Sequence, residues 1–333
     1  MVRSALDRRR AIGLLVASLA APRAGKTQTR DRLILQTGWR AQAEHGGFYQ
    51  ALATGKYRDA GLDVEIRMGG PQLDPNPLLM AGRVDFIISG GGSGFAYVRE
   101  NLPFLVIAAM FQKDPRVLLS HPGVGNDTLE QLWGKPILVA ASGRNTYWPW
   151  LRARYGYRDE QLRPYTFSMA PFLADRMVSM QGLVTSEPPD LRKVGVDPVI
   201  HLLADHGWLD YQSTLNSSAQ LVREKPDVVQ RFVDASISGW RDYLHGDPTS
   251  GNLLIRRDNP DMLDERIASS RSLMMQAGLL ESGDAATLGI GAMTDARWRA
   301  FYNSMVVAGA QPAGLDIRKA YTTQFVNRGV GLI

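Results

Sequence analysis

From Asp31 onward, short apolar runs of strand length keep alternating with stretches of helical periodicity, and this alternation confines the chain to the α/β class. Leu33-Ile34-Leu35 is the first such run, and Leu62-Asp63-Val64-Glu65-Ile66 follows with the two-residue rhythm of a strand. Gly69-Gly70-Pro71 ends it, Pro77–Ala81 suits a short helix, and Gly82–Ile88 reads as a turn and a further strand. Ile137–Ala140, Val199–Ala204 and Leu215–Val222 are later runs of the same kind. After Lys225-Pro226-Asp227 the apolar residues at 228, 229, 232, 233 and 237 repeat at helical spacing, with Pro226 early enough to be tolerated, so this stripe is core packing. Asp247–Asn252 reads as a loop and the glycine-rich end near Gly329 as a frayed terminus. With 333 residues, the chain has room for roughly two domains.

The formal charge of +5 suggests a polyanion partner only until its location is considered. Arg3, Arg8, Arg9, Arg10 and Arg23 against Asp7 place four of those five charges within residues 1–24, so nucleic acid is not an expected partner. Arg8-Arg9-Arg10, the weakly apolar stretch Ala11–Ala21 and then Pro22-Arg23-Ala24 have the layout of an export signal of twin-arginine type, with ordinary secretion as the other route. The stretch is too short to cross a membrane. The chain contains no cysteine, which removes disulfides, thiolate chemistry and the acceptor for a lipoprotein anchor, and the periplasm is the expected location.

Candidate ligand-facing residues gather where strand-like runs give way to helices. Gly38 breaks the first run just before Trp39, Glu44 and His45, and Gly46-Gly47 then leads into a helix that Gly55 stops. Such a junction sets an indole, a carboxylate and an imidazole beside unpaired helix N–H groups. Trp39 as core and His45 as surface is the plainer alternative. Ser89-Gly90-Gly91-Gly92-Ser93-Gly94 follows another strand, and Ser89, Gly91 and Ser93 there suit a cleft wall or a tight turn. It lacks a P-loop lysine and a dinucleotide spacing. Ser142, Asn145, Thr146 and Tyr147 form a third junction, able to meet the edge of a flat ring. The histidines at 45, 121, 201, 206 and 245 show no tight metal spacing, and no Gly-x-Ser-x-Gly elbow is present, so neither a metal site nor a catalytic residue is assigned.

Gly38–Ala51 followed by Gly55–Ile66 resembles the opening of the bacterial solute-binding proteins related to the thiamine-pyrimidine synthases, within the sulfonate/nitrate/taurine-type binding proteins of ABC importers. Gly82-Arg83-Val84-Asp85-Phe86 and Thr128–Ala140 are similar to later parts of the same family. The resemblance covers roughly residues 31–325. It implies a type II periplasmic binding fold: lobe 1 from 31–117 plus 205–325, lobe 2 from 118–204, and a ligand cleft between them. It also implies a monomer that hands a small molecule to a permease, with no cofactor. Glu187 matches an acidic position that, in pyrimidine-binding members, accepts hydrogen bonds from an amino-pyrimidine. A thiamine-precursor pyrimidine is the favoured ligand, hydroxymethyl- or formylamino-substituted, with riboflavin, another aromatic compound or a sulfonate open. The thiamine-pyrimidine synthases themselves consume a lysine-bound pyridoxal phosphate, a histidine and a cysteine-rich run. Ser89 and Ser93 stand where that lysine and histidine would lie and the run has no counterpart, so no enzyme activity is expected.

An intact chain should lose roughly its first 20–30 residues on export, as mass measurement of the mature protein would register. Replacing Arg8, Arg9 and Arg10 by lysine should abolish periplasmic yield if the twin-arginine route is used, and unaltered yield would exclude that route.

Overall fold

The computed structural model describes residues 30–332 apart from Gln72; the export signal expected over residues 1–24 lies outside the described residues. Ten strands make two sheets: β1 Asp31–Gln36, β2 Leu62–Arg67, β3 Phe86–Ser89, β4 Phe104–Phe111, β5 Arg116–Ser120, β6 Ile137–Val139, β7 Leu162–Pro164, β8 Ser179–Leu183, β9 Val199–Leu202 and β10 Gln212–Ser218. The first sheet runs β2-β1-β3-β10-β4 and the second β7-β6-β8-β5-β9. β1 pairs in parallel with β2 and β3, and β6 in parallel with β7 and β8, as helical crossovers require. One antiparallel strand is wedged into each sheet: β10 between β3 and β4, and β5 between β8 and β9. Each wedged strand is the first one after the chain passes from one sheet to the other. The two lobes therefore share one plan and exchange chain at two places, the α/β two-lobed architecture of type II periplasmic binding proteins.

The passages occupy residues 112–115 and 203–211. The first lies ahead of the expected boundary at 117/118, because Arg116 and Val117 already pair with β8. Val199–Leu202 closes the second sheet against β5, and the return to the first sheet begins at Leu203. Asp85, whose motif drew attention in the sequence, extends the first sheet: its carboxylate accepts the Ile34 N–H at 2.7 Å and its own N–H reaches the Ile34 carbonyl at 2.9 Å. Asp247–Asn252 is not wholly a loop, since a helix starts at Thr249, whose N–H and hydroxyl the Asp247 carboxylate accepts. Gly251 disguised that helix; it stands there because Gln50 presses against its backbone. No described helix is long and apolar enough to cross a membrane.

The helix Pro226–His245 is the pillar of the first lobe and buries Val228, Val229, Phe232, Val233 and Ile237, the residues of the periodic stripe. Phe232 stacks between Phe86 and Tyr57, with ring centroids 4.0 and 5.3 Å away. Its Gly239 and Trp240 lie directly on the helix Gly46–Ala53, so a Cβ at Gly239 would overlap the Gly47 carbonyl and one at Gly47 the Trp240 ring. These glycines set the depth of a helix pair whose leading turn, Ala43–His45, carries two candidate site residues. Gly239→Ala should cost about 3 kcal/mol, the upper end for overpacking because backbone blocks it, as denaturant unfolding would measure. It should weaken ligand binding as well, by displacing that turn.

Candidate functional site

In open α/β sheets ligands settle beyond the carboxyl ends of the parallel strands, and both sheets present those ends to the gap between the lobes. β1 delivers Gly38 and Trp39, β3 delivers Ser89 and Gly90, β6 leads to Ser142, and β8 leads to Leu183 and Glu187. The passage between lobes adds Asp114 and Arg116. Two adjoining chambers result, an inner one of about 310 Å³ and an outer one of about 600 Å³. Trp39, Gln42, Glu44, Arg116 and Leu183 line both.

The loop after β1 keeps its shape because Thr37 fixes it. Its hydroxyl donates to the Trp39 carbonyl at 2.6 Å and accepts the Gly69 N–H at 2.9 Å, and Gly69 lies too close to the Thr37 carbonyl for any side chain. Trp39 is thereby aimed at the chambers from a fixed strap. Of the residues singled out in the sequence, Trp39, Glu44, His45, Ser89, Ser142 and Glu187 line one or both chambers. Ser93, Asn145 and Thr146 face a separate inter-lobe cavity of about 490 Å³ with Trp208 and Phe301. Gly91 lines neither; it lets the backbone approach Asp210 and Tyr211, and its N–H bonds the Tyr211 carbonyl at 2.8 Å. Tyr147 is buried behind the wall, where its hydroxyl donates to Gln181 Oε1 at 2.7 Å under the Arg116 guanidinium.

Several lining residues escaped the sequence reading. Gln181 Oε1 is taken by the Ala140 N–H and Tyr147, which leaves its Nε2 as a donor at the outer chamber. Tyr165, Phe167 and Met169 come from the loop after β7, and Asp190 and Arg266 close the far side. The one legible hint was Asp114-Pro115-Arg116, opposite charges about a proline between two apolar runs.

Charge is distributed unevenly around this space. Glu44 is only 8% exposed, and burial pushes its carboxyl above the usual range, with the neighbouring charge of Glu187 adding to the rise. The Thr185 hydroxyl, donated from the other lobe, and the Arg266 charge oppose it. Glu187 Oε2 accepts the Leu183 N–H at 2.7 Å and the Ser186 hydroxyl, while Oε1 meets only the Tyr165 hydroxyl at 3.4 Å. Both guanidiniums are already engaged: Arg116 with Asp114 at 2.6 Å and Arg266 with Asp190 at 3.2 Å. His45 is 6% exposed with Nδ1 unpartnered, and burial lowers its pKa to about 4, so the ring is neutral at neutral pH. Among the described residues no cluster of His, Cys, Asp or Glu is arranged to hold a metal ion.

The depressed His45 value gives a signed expectation. Between pH 6.5 and about 4 the unfolded imidazole takes a proton that the folded one refuses, so this contribution is full above pH 6.5 and falls away as pH drops. The loss amounts to about 3 kcal/mol. Burial raises Asp210 to about 8, with the Asp114 charge adding to it, and that contribution runs the opposite way, gaining as pH falls. The His45 part is therefore isolated by difference: His45→Gln should lose less stability than the wild type between pH 7 and 4 in denaturant titrations.

Comparison with known proteins places this geometry. The riboflavin-binding protein RibY of Chloroflexus aurantiacus is 23% identical over 320 residues, covering 94% of this chain and 91% of that protein. Among solved structures, the periplasmic aliphatic sulphonate binding protein SsuA of Escherichia coli superposes with a TM-score of 0.66 at 12% identity, covering 87% of this chain and 91% of that one. The desulfurization enzyme DszB shares the fold too, with a TM-score of 0.57 at 13% identity over 89% of this chain and 97% of its own. Residues 42–250, from the turn that carries Glu44 to just past the pillar helix, match the NMT1/THI5-like family, and the chain belongs to it.

Proposed function

We propose that this protein is the periplasmic capturing component of an ABC importer and that its ligand is a flat nitrogen heterocycle without negative charge, a thiamine-precursor pyrimidine foremost. The observation that carries this reading is the acidic balance of the chambers. Glu44 and Glu187 face the space, while each nearby guanidinium is paired through one nitrogen with another carboxylate. An anion such as a sulfonate would meet these carboxylates and only guanidiniums already paired with other carboxylates, whereas ring amino groups and N–H donors meet acceptors directly. Trp39 supplies a face for stacking and the Gln181 Nε2 a donor for a ring nitrogen or carbonyl.

A second reading, a flavin, is supported by size. The outer chamber of about 600 Å³ with Trp39, Tyr165 and Phe167 exceeds what a single pyrimidine ring fills. The two share the same recognition chemistry. Binding without turnover is supported by the state of the hydroxyls. Ser120, which lies 3.0 Å from His201, gives its proton to the Asn126 carbonyl at 2.6 Å and is not activated by the imidazole.

Calorimetric titration with hydroxymethylpyrimidine, riboflavin and an alkanesulfonate tests the proposal. Trp39→Ala should weaken binding by about 1–3 kcal/mol, the range for base–aromatic stacking. Glu187→Gln should penalise an amino-pyrimidine more than an analogue lacking the amino group, because an amide is a weaker acceptor than a carboxylate. Tight sulfonate binding that ignores both substitutions would overturn it.

A further inference from the structure

Phe167 carries two local penalties. Its ring is 65% exposed, and its backbone sits at φ +62°, in the left-handed region that bulky residues avoid. Strained backbone of this kind persists where surrounding structure imposes it, and it concentrates at ligand clamps. Phe167 belongs to the second lobe, in the segment between β7 and the helix Ala170–Ala174. Its ring nevertheless reaches across the gap to Trp39 of the first lobe, with centroids 6.1 Å apart and planes tilted by 40°. Tyr165 backs it at 5.3 Å and is itself directed by its hydroxyl toward Glu187.

The spacing shows what this pair lacks. A flat ring held between two others needs planes separated by about 7 Å, twice the optimal carbon–carbon distance. Trp39 and Phe167 stand slightly inside that at 6.1 Å and touch at a tilt instead of stacking. A small opening of the lobes admits one ring and lets both aromatics turn parallel to it. The exposed apolar surface of Phe167 is then covered, and the cost of its backbone is repaid only in that state.

We propose that Phe167 is the closing half of a two-ring clamp with Trp39 and determines which ligands are retained, through the rate at which they leave rather than the rate at which they enter. This rests on the flat-heterocycle reading above. It goes further in assigning selectivity to a residue that neither hydrogen-bonds a ligand nor carries charge.

The test has one arm with ligand and one without. With riboflavin followed by stopped-flow fluorescence and hydroxymethylpyrimidine by competition or calorimetry, Phe167→Ala should raise the dissociation rate of whichever probe binds at least tenfold. The association rate should change less than threefold, and Phe167→Tyr should stay within threefold of wild type throughout. Leu173→Ala, at an exposed apolar residue of the neighbouring helix, controls for general loss of surface. Unchanged dissociation in Phe167→Ala with binding intact would overturn the clamp. If neither probe binds the wild type, the flat-heterocycle reading fails by itself, and the second arm decides the cross-lobe contact. The chain has no native cysteine, so labels at Arg40→Cys and Ser168→Cys report the gap directly. Adding Phe167→Ala should lengthen and broaden the label distance in the ligand-free protein, and an identical distribution would show that the ring holds nothing. Phe167→Gly should melt about 2 °C or more above Phe167→Ala, because only glycine adopts this backbone without penalty; equal melting temperatures would remove the strain from the case.

Discussion

Asp114 is the group on which the two-lobed arrangement turns. Its side chain is 1% exposed, and an isolated carboxylate there would be prohibitively costly to bury. It accepts from both passages between the lobes. The Arg116 N–H at 3.0 Å and guanidinium at 2.6 Å come from the first, and the Trp208 indole at 2.7 Å and Gln212 amide at 3.5 Å from the second and its exit. Arg297 stitches the same two segments from the other side, donating to the carbonyls of Gln112 and Leu209. Neither passage can shift without breaking charge-assisted hydrogen bonds to a buried carboxylate. The two connections are thus held together as one narrow link.

That constraint also positions the chemistry. Arg116 leaves Asp114 directly into the wall shared by both chambers and lies over the buried Tyr147 ring, which in turn orients Gln181. The hinge carboxylate and the candidate ligand donor are therefore three contacts apart. Across the gap the lobes meet through Thr185 with Glu44, the Ser270 hydroxyl with the Thr185 carbonyl, Arg266 with Asp190, Lys193 with Glu265, and Trp39 with Phe167, and on the other side the helix Tyr147–Tyr155 packs on the helix Asp295–Val307. Partly exposed ion pairs such as these contribute little. A ligand that touches both walls adds contacts found only in the closed state, and such differential contact is what shifts a two-lobed equilibrium.

What the sequence disclosed follows from how local each signal is. The Trp39–Glu44–His45 turn was legible because glycines bracket it and strand rhythm precedes it, all within fifteen residues. The stripe at 228–237 was legible because one helix carries its whole period. Gln181 and Phe167 were not, since each meets a partner far off in the chain, Gln181 with Tyr147 and Phe167 with Trp39; Arg116 pairs with Asp114 only two residues back, and what the sequence hid was the burial of that pair by Trp208. Asn145 and Thr146 show the converse failure. Their residue types and junction suited a ligand, yet the turn between Arg144 and Tyr147 faces them toward the cavity beside Ser93 instead of toward Trp39.

A fold shared at 12–23% identity by proteins whose names include binders and an enzyme must locate its differences in the loops beyond the strand ends. In this chain those loops use their polar groups to hold one another. Ser89, which stands where the resemblance would set a reactive lysine, accepts the Asn216 amide at 2.8 Å and leans its own proton toward the Gly90 carbonyl at 3.3 Å. Asn216 is fixed in turn by Thr214 and the Ile87 carbonyl, inside the wedged strand β10. A hydroxyl so occupied is part of the chamber wall. The same wedge that lets the two lobes exchange chain thus also fixes Ser89 in the wall of the inner chamber.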